Sequence, residues 1–199
     1  MPLVEPGLNI QKKSTLAKSL SAQNDLHVLI DDCIAKNRLA QKKLYDKYAP
    51  FAFGIIKRYE YNEQSAQEIM NDAFYKVFTK LDQYSFAGSF EGWIRRIIVN
   101  SVTDHLRKYI KDTQVHKVEA EPMHAFTESE SMGMMSYKEL LAVVHTLPET
   151  QRAVFNLFVF ESLSHKEIGA CLNMNENNSK WHLNDARRRL KEKLEKFLK

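Results

Sequence analysis

The sequence predicts an all-α protein made of two helical domains. Apolar residues recur at three- and four-residue spacing along most of the chain, whereas sustained period-two alternation and Asn-Gly or Asp-Gly hairpin turns are absent. The six glycines and five prolines of the 199-residue chain fall mostly at the edges of the periodic segments. With 44% hydrophobic and 27% charged residues, the composition suits globular domains with cores. It excludes a collagen, a low-complexity array or a disulfide-knotted peptide.

Local signals set the order of elements. Residues 1–24 are polar, lack the apolar run of a signal peptide and are read as a flexible N-terminal segment. Asp25 is placed to cap a first helix with Leu26, Leu29, Ile30, Cys33 and Ile34 on one side. A second helix follows Asn37 on the stripe Leu44, Tyr45, Tyr48, Phe51, Ile55 and Ile56, and Pro50 is expected to kink or break it. Ser65-Ala-Gln-Glu68 has capping-box form within a third helix, which starts near Asn62 or Ser65 and buries Ile69, Phe74, Val77, Phe78 and Leu81. Ser89 is placed to cap a fourth, running through Trp93, Ile94, Ile97, Ile98, Val102 and Leu106. Together these helices form a first domain over residues 25–111.

Between Asp112 and Gly133 the periodicity vanishes, so residues 112–134 are read as a flexible acidic linker. The second domain, residues 135–199, opens with an amphipathic helix from Tyr137 to Leu147. Pro148 suits the first turn of the next helix, in which Phe155, Leu157, Phe158 and Phe160 are expected to be heavily buried. Ser164-His-Lys-Glu167 is a capping box, because hydroxyl and carboxylate satisfy each other's orphan backbone donors. It starts a short helix to Leu172 that turns Ile168, Gly169 and Leu172 inward. Asn173-Met174-Asn175 ends that helix, and a long amphipathic one begins near Glu176 on the stripe Leu183, Ala186, Leu190, Leu194 and Phe197.

The formal net charge is only +4, and its distribution says more than its size. Residues 180–199 hold eight basic groups against three acids, and residues 95–111 are again basic. Residues 112–139 hold six acids against two lysines. Two basic surfaces separated by an acidic segment point to a nucleic-acid partner. Cys33 and Cys171 stand alone, indicating neither a disulfide framework nor a zinc site, which suits a reducing cytoplasm. No run approaches a membrane span in length, and phosphate-cradling glycine loops, HExxH and G-x-S-x-G are missing. Neither an enzyme nor a bound metal or cofactor is expected.

A short helix, a tight turn and a longer polar-fronted helix make the helix-turn-helix pattern. The longer helix carries Asn177, Asn178, Ser179, Lys180, His182 and Asn184 near its start, then Arg187 and Arg188. Amides and hydroxyls pair with base edges in the major groove, while Lys and Arg neutralise phosphates. An ordinary solvated helix face is the plain alternative.

Leu147-Pro148-Glu-Thr-Gln-Arg152, Phe155-x-Leu157 and Leu163-Ser164-His-Lys-Glu-Ile168-Gly-Ala-Cys-Leu172 resemble region 4 of small bacterial sigma factors. Ala66-Gln-Glu-Ile-Met-Asn-Asp-Ala-Phe74, Lys80-Leu81-Asp82, Phe90-Glu-Gly-Trp93-Ile-Arg-Arg-Ile97 and Asn100-x-x-x-Asp104-x-x-Arg107-Lys108 resemble region 2 of the extracytoplasmic-function (ECF) group. The region 4 half alone also resembles the DNA-binding domain of LuxR-type regulators. A stand-alone regulator that does not need polymerase is therefore the second reading, and the region 2 half separates the two. Asn178-Ser179-Lys180 departs from the widespread Gly-Thr-Val-Lys form and is similar to a variant of Bacteroidetes sigma factors, so promoter preference does not carry over.

The resemblance implies a cytoplasmic, non-enzymatic subunit that binds core RNA polymerase and opens promoter DNA. Region 2 would grip the β′ clamp helices and the single-stranded minus-ten element. Region 4 would read the double-stranded minus-thirty-five element and touch the β flap. Glu68, Asn71, Asp72 and Tyr75 are the polymerase-facing residues this implies, although members usually have Asp at the position of Glu68 and Gln at that of Asn71. Phe86, Phe90, Arg95, Arg96, Asn100, Arg107 and Lys108 are the minus-ten residues. Among them aromatic rings offer stacking platforms, cations a groove, and the Asn100 amide a base-edge partner. Phe90 and Trp93 also fit a core, a reading favoured for Trp93, and a satisfied helix asparagine is the alternative for Asn100. The acidic linker would thread a cationic polymerase channel or remain solvated. A further expected partner is an anti-sigma factor or other regulator, with no membrane insertion by this chain.

Overall fold

In the computed structural model the backbone is described over residues 24–116 and 136–197, and side chains over 24–110 and 136–195. The segment 1–23 and most of the linker, 117–135, lie outside the described residues. Every regular element described is helical: α1 spans 24–34, α2 Arg38–Tyr59, α3 Glu63–Thr79 and α4 Phe90–His116, with a 3-10 turn at Leu81–Gln83. After the linker come α5 (Tyr137–His145), α6 (Glu149–Val159), α7 (His165–Leu172) and α8 (Glu176–Phe197).

Caps explain most of the boundaries. Asn37 starts α2 by accepting from the N–H groups of Leu39 and Ala40, and Asn62 starts α3 by accepting from Ser65. Because Asn62 takes the capping role, Ser65 and Glu68 sit inside α3 and do not form the expected box. Asp25 likewise lies inside α1. Ser89 Oγ accepts from Gly92 N–H at 3.0 Å, as a cap of α4 requires. A capping box not foreseen from the sequence, Ser136 with Glu139, starts α5.

Two details add to the expectation: Pro50 does not break its helix, and α4 is longer than expected. α2 runs unbroken through Pro50, which is exposed; the forgone backbone bond is to the carbonyl of Asp46, itself an exposed residue that water can reach. α4 continues past residue 111 to His116, so the first residues of the expected linker are helical.

The first domain packs α2, α3 and α4 around Leu44, Ile56, Val77, Phe90, Ile94, Ile98 and Leu106, all at most 2% exposed. Its apolar cluster continues through Ala153, Val154, Leu157, Ile168, Leu172 and Leu183, so the second domain is packed onto the first. A smaller cluster of Val143, Leu147, Ala186 and Leu190 ties α5 to α8. Leu157 is buried as expected, whereas Phe155 and Phe158 are half-buried and Phe160, just past the helix, is 38% exposed.

The domain contact has a specific polar core. A helix leaves its last carbonyls without intrahelical partners. Three consecutive ones at the end of α2 are satisfied by the second domain: Lys57 O contacts His145 Nε2 at 2.7 Å, Arg58 O accepts from Asn156 Nδ2 at 2.6 Å, and Tyr59 O accepts from Arg152 Nε at 2.9 Å.

Candidate nucleic-acid interface

α7, the turn and α8 are held by local chemistry. Ser164 and Glu167 form the expected capping box, and Asn173 ends α7 in the left-handed conformation at φ 54°. Gly169 is required at the crossing, since a Cβ there would meet Met174 O at 2.6 Å. Asn175 Oδ1 then accepts from Asn178 N–H at 2.7 Å, starting α8.

α8 buries Leu183, Ala186 and Leu190, leaving Asn177, Asn178, Lys180, Asn184, Arg187 and Arg188 exposed. Two residues of the predicted contact set are less open than the rest. Ser179 is 0% exposed, its hydroxyl 3.0 Å from His165 Nδ1, so it braces α8 against α7 instead of meeting a groove. His182 is half-buried, and that burial lowers its imidazole pKa, favouring the neutral ring. Sequence reasoning passed over Trp181, which is 59% exposed; its four-residue spacing from Asn177 was the available signal.

The cations on α8 differ in their engagement. Lys180 pairs with Glu176 at 2.7 Å, and Arg187 lies over the Phe158 ring at 5.4 Å. Asp185 accepts from Arg189 at 2.7 Å and Arg188 at 2.6 Å, and these bonds hold its carboxyl at a pKa of about 2.

In the first domain Glu68, Asn71, Asp72 and Tyr75 are all exposed on one face of α3, Tyr75 at 70%. Lys76 pairs with Asp72 at 2.7 Å and with Asp104 at 3.1 Å, fixing α3 against α4 beside that face.

The minus-ten set is divided by the structure. Phe90 is 1% exposed and packs in the core against Tyr48, Tyr84 and Trp93, so it offers no face to DNA. Trp93 is half-buried against the same core. Phe86 sits in the Ser85–Ser89 loop at φ 57°, 39% exposed, with its ring 3.9 Å from His27 and 4.7 Å from Tyr84. The Tyr84 hydroxyl donates to Gly88 O at 2.5 Å and pins this loop. Asn100, Arg96 and Lys108 are exposed on α4. Asn100 lines a groove with Lys76, Lys80, Asp104, Arg107 and, from α7, Cys171.

The other two cations are engaged by the second domain. Arg95 Nη2 donates to Phe160 O at 2.8 Å and its Nε to Glu161, while Arg107 donates twice to Cys171 O at 3.0 and 3.1 Å. In this closed arrangement Arg95 is held at the turn before α7, and Arg107, though still exposed, is tied to α7. Among the described residues no helix is long and apolar enough to cross a membrane, and no three His, Cys, Asp or Glu residues are grouped to hold a metal.

Residues 44–110 match the model of Sigma-70 region 2, and residues 137–190 that of Sigma-70 region 4. The RNA polymerase sigma-H factor of Pseudomonas aeruginosa is 31% identical over 137 residues, 63% of this chain and 71% of that one. The ECF RNA polymerase sigma factor SigW of Bacillus subtilis is 24% identical over 162 residues, 76% of this chain and 87% of its own. Among solved structures, the sigma factor RpoE in complex with the anti-sigma factor NepR from Bartonella quintana aligns at TM-score 0.49 and 19% identity, covering 77% of this chain and 96% of that chain. With its two helical domains matching regions 2 and 4 in that order, and with that Pseudomonas relative matched over most of its length, the chain belongs to the sigma-70 family of RNA polymerase sigma factors, in the extracytoplasmic-function group.

Proposed function

We propose that this chain joins core RNA polymerase through the exposed α3 face, directs it to promoters and helps open the minus-ten element. Glu68, Asn71, Asp72 and Tyr75 would contact the β′ clamp helices. Asn177, Asn178, Lys180, Asn184, Arg187 and Arg188 would read and hold the minus-thirty-five duplex. On the first domain, Phe86, Arg96, Asn100, Arg107 and Lys108 are the accessible minus-ten residues, with Arg95 freed from Glu161 and Arg107 from Cys171 O once the domains part. The chain acts as a specificity subunit, not as an enzyme, and works in the cytoplasm beside polymerase. An anti-sigma protein that holds the two domains together is the natural restraint, because closure engages donors of Arg95 and Arg107.

One observation carries this reading: a complete helix-turn-helix sits in the same chain as a second helical domain whose acidic, amide and aromatic residues share one exposed helix face. A stand-alone regulator has no use for that face. The deciding experiment is transcription from a promoter library by purified bacterial core polymerase, with and without the full chain. Chain-dependent transcripts that share two spaced upstream elements are expected. Duplex binding without core binding or transcripts would overturn the proposal in favour of the stand-alone regulator.

A further inference from the structure

We propose that Trp181 is a specificity-determining residue that selects thymine in the upstream promoter element by packing its indole against the C5 methyl group. The inference rests on the reading that α8 enters the major groove.

Trp181 occupies the middle of the outward face. At about 3.6 residues per turn it lies opposite the stripe of Ser179, Leu183, Ala186 and Leu190, which binds α8 to the domain. It is 59% exposed, and the ring it meets is that of His182, edge-on at 4.9 Å. Trp is a residue type enriched at interfaces, where its large ring and its N–H both find partners, and here it adds nothing to the core.

Its surroundings identify the partner. Asn177 lies one turn before it and Asn184 one turn after, both exposed, with Lys180 and Arg188 beside them. A protein-docking anchor is normally bedded among other apolar groups, whereas this indole stands among amides and cations. Amides that pair with base edges and cations that pair with phosphates fit duplex DNA. In the major groove the thymine methyl is the one apolar group on offer, so an apolar side chain between two amides has one complementary partner there. This explains why an aromatic residue is useful at a position where the neighbours are polar.

The test uses holoenzyme assembled from the full chain and core polymerase. Duplexes are first selected from a randomised upstream library. Each thymine of the selected element is then replaced by uracil, which removes the methyl and leaves every hydrogen-bonding group. For the unaltered chain one such replacement is expected to weaken binding about fourfold, the effect of one buried methyl-sized group. With Trp181→Ala the same replacement is expected to have no effect, and with Trp181→Phe an intermediate one. Uracil scanning that is silent for the unaltered chain, or equally costly for the Ala variant, would overturn the proposal while leaving promoter recognition by α8 intact. Weakened core binding by Trp181→Ala with an unchanged uracil effect would also overturn it, assigning the indole to a protein partner. Failure to select any chain-dependent element would instead remove the reading of α8 on which the inference stands. Circular dichroism of each variant checks that α8 is intact.

Discussion

Arg95 Nε donates to Glu161 Oε2 at 2.6 Å, tying α4 of the first domain to the turn that leads into the helix-turn-helix. The Glu161 side chain is only 6% exposed and also meets Arg58 at 3.5 Å and the Tyr59 hydroxyl at 3.4 Å. A carboxylate this deeply buried is tolerated because two guanidiniums and a hydroxyl surround it. With Nε on Glu161 and Nη2 on Phe160 O, Arg95 has fewer donors left for a DNA phosphate, so domain closure and the proposed DNA contact by this residue would compete.

Glu161→Ala is therefore expected to weaken closure by about 2–3 kcal/mol, below the loss for a fully buried pair because part of Arg95 remains in water. Small-angle scattering should show a larger radius of gyration, and single-stranded minus-ten DNA should bind the free chain more tightly. If neither changes, the three side chains capping the end of α2 hold the domains together without Glu161.

Glycine substitutions should separate two backbone roles. At Gly169 a Cβ would meet the backbone oxygen of Met174 at 2.6 Å, and a backbone atom cannot swing aside. Gly169→Ala is expected to destabilise the chain by about 1–3 kcal/mol and to weaken duplex binding by displacing the turn. Gly54 lies exposed inside α2 with nothing within 4 Å of a Cβ, so Gly54→Ala is expected to stabilise by about 0.5–1 kcal/mol. Thermal melts of the two variants should move in opposite directions. A Gly169→Ala chain that melts with the unaltered one would show that the turn can relax around the methyl.

Local signals made much of this fold legible. The Ser164–Glu167 box, the Asn173 break and the Ser89 cap each depend on residues within a few positions, so spacing alone located them. Long-range burial was not legible. Phe90 lies in an aromatic, loop-like stretch that fits either a DNA contact or a core, and it starts α4 with its ring turned into the core. Ser179 is polar and was given to the groove, but its partner His165 stands on another helix. Glu161, Arg152 and Asn156 carry no local signal of their contacts across the domains, where Arg152 and Asn156 meet residues 93 and 98 positions earlier and Glu161 meets Arg95, 66 earlier.

Two titrating groups at the domain contact should produce opposite pH slopes. Burial raises the Glu149 carboxyl from 4.5 to about 7, opposed by Arg152 and aided by Glu60. Burial, then Arg152, lowers the His145 imidazole from 6.5 to about 4. The Glu149 contribution is fully present below pH 4.5 and is lost as pH rises through about 7. The His145 contribution is fully present above pH 6.5 and is lost as pH falls through about 4. Between 4.5 and 6.5 the two offset each other. Relative to the unaltered chain, the melting temperature of Glu149→Gln should rise with pH across the first window, and that of His145→Asn should fall with pH across the second. Subtracting the unaltered chain's curve cancels the other titrating groups. Two flat difference curves would mean that neither group is buried in solution.

Salt dependence offers a test of the cations on α8 that does not require the promoter to be optimal. Lys180 pairs with Glu176, but both side chains are half exposed, and an exposed pair one turn apart contributes little. Its ammonium is available to a phosphate. Arg187 lies over the Phe158 ring at 5.4 Å and is exposed, so it too is available to a phosphate. Arg188 and Arg189 are committed to Asp185 by bonds of 2.6 and 2.7 Å, so they contribute less without rearrangement. Each phosphate neutralised changes the slope of log affinity against log salt by about −0.9. Replacing Lys180 and Arg187 together by Ala in the holoenzyme is expected to flatten that slope by about 2 units and to weaken all sequences alike. Trp181→Ala should leave the slope in place while changing sequence preference. An unchanged slope in the double variant would move the phosphate contacts to Arg188 and Arg189, and Asp185 would then have to release them on binding.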